Sequence, residues 1–259
     1  MRRRFLIPAF LTIAVLLGAG LAQAELGQEG NIRISFSGDF SPRTLPRDKL
    51  APVTIDVRGA IKTTDGTHPP AVRRIEIAIN RHGRLSTQGL PACSGPLLQS
   101  TSTETALARC RPALVGRGNF AANVEFPNTN PVLATGPMLA FYGKSSGKRA
   151  LLLHLYATTP VRATFVLPLI ISNRGDELFG TVLSARIPTL AGGLGSVTRI
   201  DLKIGRDYTY RGQRRSFISA SCPAPAGFPG AIFSLARGSF YFADGKKIET
   251  TLARDCRVR

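Results

Sequence analysis

The run Asn31-Ile-Arg-Ile-Ser-Phe-Ser alternates apolar and polar side chains with a period of two. The same alternation returns in Val53-Thr-Ile-Asp-Val-Arg-Gly-Ala-Ile-Lys, in Arg74-Ile-Glu-Ile-Ala-Ile-Asn and across residues 197–204. A helix would scatter such residues around its circumference, whereas a strand sends every second one to the same face, so the pattern demands half-buried sheet. Breakers separate the runs: Pro42 and Pro46 within residues 41–46, then Asp65-Gly66, Pro69-Pro70 and Asp244-Gly245. Further strands are read at residues 119–126, 138–142, 151–156, 161–171, 178–187, 216–221, 238–242 and 248–252. Lys144-Ser-Ser-Gly-Lys-Arg and Asn173-Arg-Gly-Asp-Glu serve as turns. Residues 161–171 are almost continuously apolar, which predicts a central strand covered on both faces. Some twelve strands with little helix predict an all-β fold. The expected architecture is a large antiparallel β-sandwich, as one unit or as two halves meeting within residues 158–196.

A single short helix is expected, near residues 102–110. Thr101 and Glu104 have capping-box spacing, which sets a start near Ser102. Arg109 and Arg111 suit the negative end of the helix dipole, and Pro112 cannot continue the ladder, which sets the stop near Cys110. A helix this short does not persist alone in water, so a disulfide from Cys110 back to Cys93 would staple it. The four cysteines, Cys93, Cys110, Cys222 and Cys256, are even in number and show no C-x-x-C or Cys/His spacing, which favours two disulfides over a metal. Three connectivities are open to them. The sequence-local one, Cys93 with Cys110 and Cys222 with Cys256, is expected.

Residues 1–24 read as a signal peptide: Arg2, Arg3 and Arg4, an apolar stretch over residues 5–21, and Ala22-Gln23-Ala24 as the cleavage site. The competing reading, an uncleaved anchor, is opposed by Pro8 and Gly18 within the apolar stretch. Cleavage places the mature chain, Glu25 onward, outside the cytoplasm, secreted or associated with the cell envelope. No later apolar run spans a bilayer uninterrupted; the nearest, residues 151–172, is broken by His154, Pro160, Arg162 and Pro168.

The combination GLPAC, ALARCRPALVGRG and RRSFISASCPAP followed by FYFADGKKIETTLARDC resembles a group of uncharacterised, exported, Arg-rich actinobacterial proteins. The resemblance covers most of the mature chain. It implies export and a β-rich build, and it carries no activity.

Chemistry is sparse. There are three histidines, His68, His82 and His154, and no G-x-S-x-G elbow, so no hydrolytic triad is spelled out and each histidine reads as structural. Asp176 and Glu177 are a solvated turn in place of a calcium cage, and no carboxylate pair stands out as a glycosidase site. The glycine-rich residues 191–196 lack the Lys-Ser/Thr of a phosphate loop and lead into a strand, not a helix. No cofactor or metal is expected.

Charge is the one global feature with functional content. The chain carries 34 Lys and Arg against 16 Asp and Glu, and 27 of the cations are arginine. Loss of the leader removes Arg2, Arg3 and Arg4 and lowers the net charge from +18 to +15. Such a field attracts polyanions outside the cell, and the guanidinium fork suits phosphate and sulfate. Arg211, Arg214 and Arg215, with Arg254, Arg257 and Arg259, are the expected anion-binding set, because a Cys222–Cys256 bridge would bring the two runs together. Sequence-specific nucleic-acid binding is not expected, since no recognition motif accompanies the arginines. The absence of tryptophan argues against a sugar-stacking platform. The chain therefore reads as a non-catalytic exported module, structural or polyanion-binding; the alternative is a secreted hydrolase with a site assembled from dispersed residues.

Overall fold

The structure is a computed structural model that describes residues 25–125, 131–159, 161–173, 176–188 and 195–259. The predicted leader, residue 126 of one predicted strand, Arg174 and Gly175, and residues 191–194 of the glycine-rich loop lie outside them.

The alternating runs become the long strands. In chain order the first are β1 (Glu25–Glu29), β2 (Ile32–Ser41), β3 (Thr44–Leu45), β4 (Ala51–Pro52), β5 (Thr54–Thr63), β6 (Val72–Asn80), β7 (Gly83–Leu85) and β8 (Cys93–Ser94). After the helical segment come β9 (Leu114–Val124), β10 (Val132–Ser145), β11 (Lys148–Ala157), β12 (Ala163–Ser172), β13 (Phe179–Arg186) and β14 (Gly195–Ile204). The chain ends with β15 (Asp207–Tyr210), β16 (Gln213–Ser216), β17 (Ile218–Ala220), β18 (Gly230–Phe242) and β19 (Lys247–Val258). Fourteen of the described strands make one sheet, in the order β1-β2-β5-β14-β9-β10-β11-β12-β13-β6-β18-β19-β3, with β8 beside β10. All pairs are antiparallel except β8 with β10 and β3 with β19.

So wide a sheet of twisted strands rolls up. Ile32, Ile34 and Phe36 of β2 meet Phe240 and Phe242 of β18 and Ile248 and Leu252 of β19 in one buried cluster. The rings of Phe36 and Phe240 lie edge to face at 5.9 Å. The all-β expectation holds, and the two layers of the expected sandwich are two flanks of one continuous sheet. Strands from either side of residues 158–196 interleave: β14 lies between β5 and β9, and β6 lies between β13 and β18. They do not form separate sheets.

One end of the roll is closed by a three-stranded sheet, β4-β17-β7. Phe217, Ile218 and Cys222 there share a cluster with Phe40, Ile204, Tyr142 and Cys256 from that end of the long strands. The outward side chains of β5 and β14 are charged, with Arg58 3.4 Å from Asp201 and Lys203 3.9 Å from Asp56. Along these strands the apolar face is inside, the reverse of a membrane-spanning barrel. Among the described residues, no helix is long and apolar enough to cross a membrane.

The helical segment is α1 (Gly95–Leu98), a single turn, then α2 (Thr103–Cys110) and a 3-10 turn at Arg111–Ala113. The cap is Ser102, whose hydroxyl accepts from the Thr105 amide at 3.2 Å, and not Thr101, whose hydroxyl donates inward to the Leu98 carbonyl at 2.7 Å. Both expected disulfides form, Cys93–Cys110 and Cys222–Cys256, with Cα separations of 5.6 and 5.7 Å. Leu98, Ala106 and Cys110 cover Leu139 and Phe141 of β10 and Ala150 and Leu152 of β11. The strands buried on both faces are therefore β10 and β11. Residues 161–171, expected to hold that place, are mostly only half-buried in β12. The physical reason is reach: α1 and α2 are short, and over β12 the helical segment offers partial cover, with Val166 and Ile170 packed against its cluster and Thr164 donating to the Thr101 carbonyl at 2.8 Å.

Candidate functional site

The arginines expected to act together divide into three environments. Arg211, Arg214 and Arg215 sit on the β15–β16 hairpin, which turns at Arg211 and Gly212 with φ of +51° and +74°. In its register Tyr208, Tyr210, Gln213 and Arg215 share one face, and Asp207, Thr209 and Arg214 the other. The tyrosine face lies on the preceding loop: the Tyr208 hydroxyl donates to the Gln88 carbonyl at 2.9 Å. At Gly89, with φ of +80°, a Cβ would fall 2.2 Å from the Tyr210 ring, so only glycine allows this approach. Arg215 donates to Oε1 of Gln88 at 3.0 Å and of Gln213 at 3.2 Å, while its Nε is buried without a partner. The guanidinium groups of Arg211 and Arg215 both lie over the Tyr210 ring, 5.3 and 5.6 Å from its centroid. Arg214 points away; its side chain is 88 % exposed, with Asp207 3.7 Å distant.

Arg254 does not belong to such a site. It is 6 % exposed, and its Nε donates to the Gly38 carbonyl at 2.6 Å, tying β19 to β2. The reason is parity: in β19 the buried positions are Ile248, Thr250, Leu252, Arg254 and Cys256. Arg257, opposite Thr44 of β3, and Arg259, whose amide donates to the Leu45 carbonyl at 3.1 Å, are exposed at the end of β19. Other arginines serve as clamps on backbone carbonyls. Arg206 donates to Pro112 and Leu114 at 2.6 and 2.8 Å, and Arg47 to Ala224 and Phe228 at 2.6 and 3.0 Å. Part of the arginine excess is thus structural. Tyr210 is the ring that sequence reasoning passed over; its place next to Arg211 in a short alternating run was the available signal.

The histidines are each engaged. His154, fully buried on β11, has Nε2 3.1 Å from both the hydroxyl and the carbonyl oxygen of Thr101, which fastens the α1–α2 connection to the sheet. His68 lies 3.8 Å from Glu125. His82 borders an open hollow of 420 Å³, and its Nδ1 stands 3.3 Å from Oγ of Ser221, itself 7 % exposed. A nucleophile and base at that distance suit acyl transfer when a third group orients the base. Among the described residues no carboxylate bonds to or pairs with His82, and no three His, Cys, Asp or Glu side chains gather to hold a metal.

Burial holds the His154 imidazole below its ordinary value of 6.5, and burial with the Arg81 charge does the same for His82. Between the folded value and 6.5 the unfolded chain binds protons that the folded chain does not, so stability rises with pH there and is fully present above it. Stability is therefore expected to fall as pH drops below about 6.5, by at most about 1.4 kcal/mol per unit for each histidine. Urea midpoints at pH 7.5, 6.5 and 5.5 check this. His154→Gln, which keeps a hydrogen-bonding side chain without the titration, is expected to flatten the dependence; an equally steep variant would refute the assignment.

Comparisons of the chain with protein-family models, with curated proteins and with solved structures each give no match.

Proposed function

We propose that the protein is an exported, non-catalytic binding module that holds anionic polymers on the β15–β16 hairpin. The observation that carries this reading is the gathering of three arginines on one short hairpin, Arg211 and Arg215 over the Tyr210 ring and Arg214 almost wholly exposed on the opposite face. The +15 charge of the chain after the leader adds a long-range field of the right sign. Two disulfides suit an oxidising compartment. Wall phosphopolymers and acidic polysaccharides are the fitting ligand classes.

Binding through three such contacts releases counterions, and for duplex DNA as a test polymer affinity is expected to fall roughly 40-fold between 50 and 200 mM salt. The test titrates the mature chain with teichoic acid, heparin and DNA at both salt levels, beside a variant carrying Arg211→Ala, Arg214→Ala and Arg215→Ala. No binding at 50 mM salt, or parental binding by the variant, would overturn the proposal. The hydrolase alternative rests on the His82–Ser221 contact alone. Ester turnover by the parent that disappears in Ser221→Ala would favour it.

A further inference from the structure

Between the flanks of the rolled sheet the inward side chains do not close ranks. Two adjoining cavities of 110 and 70 Å³ lie there and share Leu155, Leu167, Ile187 and Val197 in their walls. They sit toward the end of the roll opposite the β4-β17-β7 sheet, where β9, β11 and β13 finish and β14 begins. Phe165, Leu167 and Leu169 of β12 face inward beside Leu155, Leu153 and Leu151, yet all three stay only half-buried. Protein interiors pack like organic crystals and leave few voids larger than a water, so an apolar lumen of this size at the centre of a sheet is not ordinary core. An engineered cavity of about 150 Å³ lined by Leu, Ile and Phe takes up benzene. These two together are larger.

The walls identify the occupant. Thr198 and Arg199 are the polar side chains among the described lining residues. Thr198 donates to the Ala121 carbonyl at 3.4 Å, and Arg199 is exposed. A polar ligand atom in the lumen would lose its hydration without compensation, and a rigid ring system does not follow two lobes in series. We infer that the lumen binds one unbranched hydrocarbon chain, the acyl or alkyl tail of an amphiphile. This site is separate from the arginine hairpin.

The test displaces the fluorescent probe N-phenyl-1-naphthylamine from the mature chain with a series of n-alkanols, hexanol to dodecanol, at fixed salt. Burial of each further methylene is expected to tighten binding roughly fourfold until the chain fills the lumen, after which affinity levels off. Val197→Phe and Ala185→Leu fill the shared wall and the larger cavity; each is expected to weaken decanol binding at least tenfold at an unchanged or raised thermal midpoint. The Arg211, Arg214 and Arg215 triple variant is expected to bind decanol as the parent does, which separates this site from the hairpin. Absence of saturable displacement, an affinity independent of chain length, or parental binding by both folded filling variants overturns the inference. Should neither filling variant fold, the chain-length series decides.

Discussion

Removal of the Cys222–Cys256 disulfide is expected to cost roughly 4 kcal/mol of stability, and removal of Cys93–Cys110 roughly 3, from the loop entropy each withholds from the unfolded chain. The sequence separations are 34 and 17 residues, which is why the first is larger. Domain stabilities lie near 5–15 kcal/mol, so losing both removes a large share of the total. Position adds to the loop argument. Cys222 is fully buried and Cys256 2 % exposed, within the cluster that joins the closing β4-β17-β7 sheet to the long strands. A reductant must wait for that end to open, so Cys222–Cys256 is expected to be reduced at the rate of unfolding and Cys93–Cys110 no more slowly. Urea titrations of Cys222→Ser/Cys256→Ser and Cys93→Ser/Cys110→Ser give the two costs separately. A midpoint unchanged in the former would refute the clamp.

Much of this architecture was readable because strands write a period of two and turns write glycine and proline. The disulfides were readable because each pair brackets a compact unit in sequence, a helix in one case and a hairpin region in the other. What escaped depends on which strands become neighbours. Nothing local says that β14 enters between β5 and β9, so rolling of one sheet and stacking of two look alike in sequence. Arg254 is instructive because its local signal was present. It stands in phase with Ile248, Leu252 and Cys256, and parity alone assigns it to the inner face, against the habit of reading any arginine as surface. The same long-range dependence applies to His154, whose partner Thr101 is 53 residues away. The Tyr210 ring beneath Arg211 and Arg215 was discounted because the chain as a whole is poor in aromatics, and strand alternation turns Arg214 to the other face of the hairpin.

Phe141→Ala is expected to cost about 3–5 kcal/mol, the range for deleting a large buried ring whose space cannot collapse. Phe141 is fully buried on β10 and faces the helical segment, while Met138, Ala140 and Tyr142 of the same strand belong to the inner cluster. The ring is thus held between sheet and helix. With eight residues, α2 cannot persist on propensity and depends on that packing and on Cys93–Cys110. The two supports act on one element, so their losses should be non-additive: Phe141→Ala combined with Cys93→Ser/Cys110→Ser is expected to cost less than the two costs taken separately. Hydrogen exchange locates the effect. Amides of α2 are expected to lose protection in Phe141→Ala while those of β2 and β5, across the roll, keep theirs apart from the global loss. A cost below about 1 kcal/mol, or uniform loss of protection throughout the sheet, would mean that the helix is not a separately supported layer over β10 and β11.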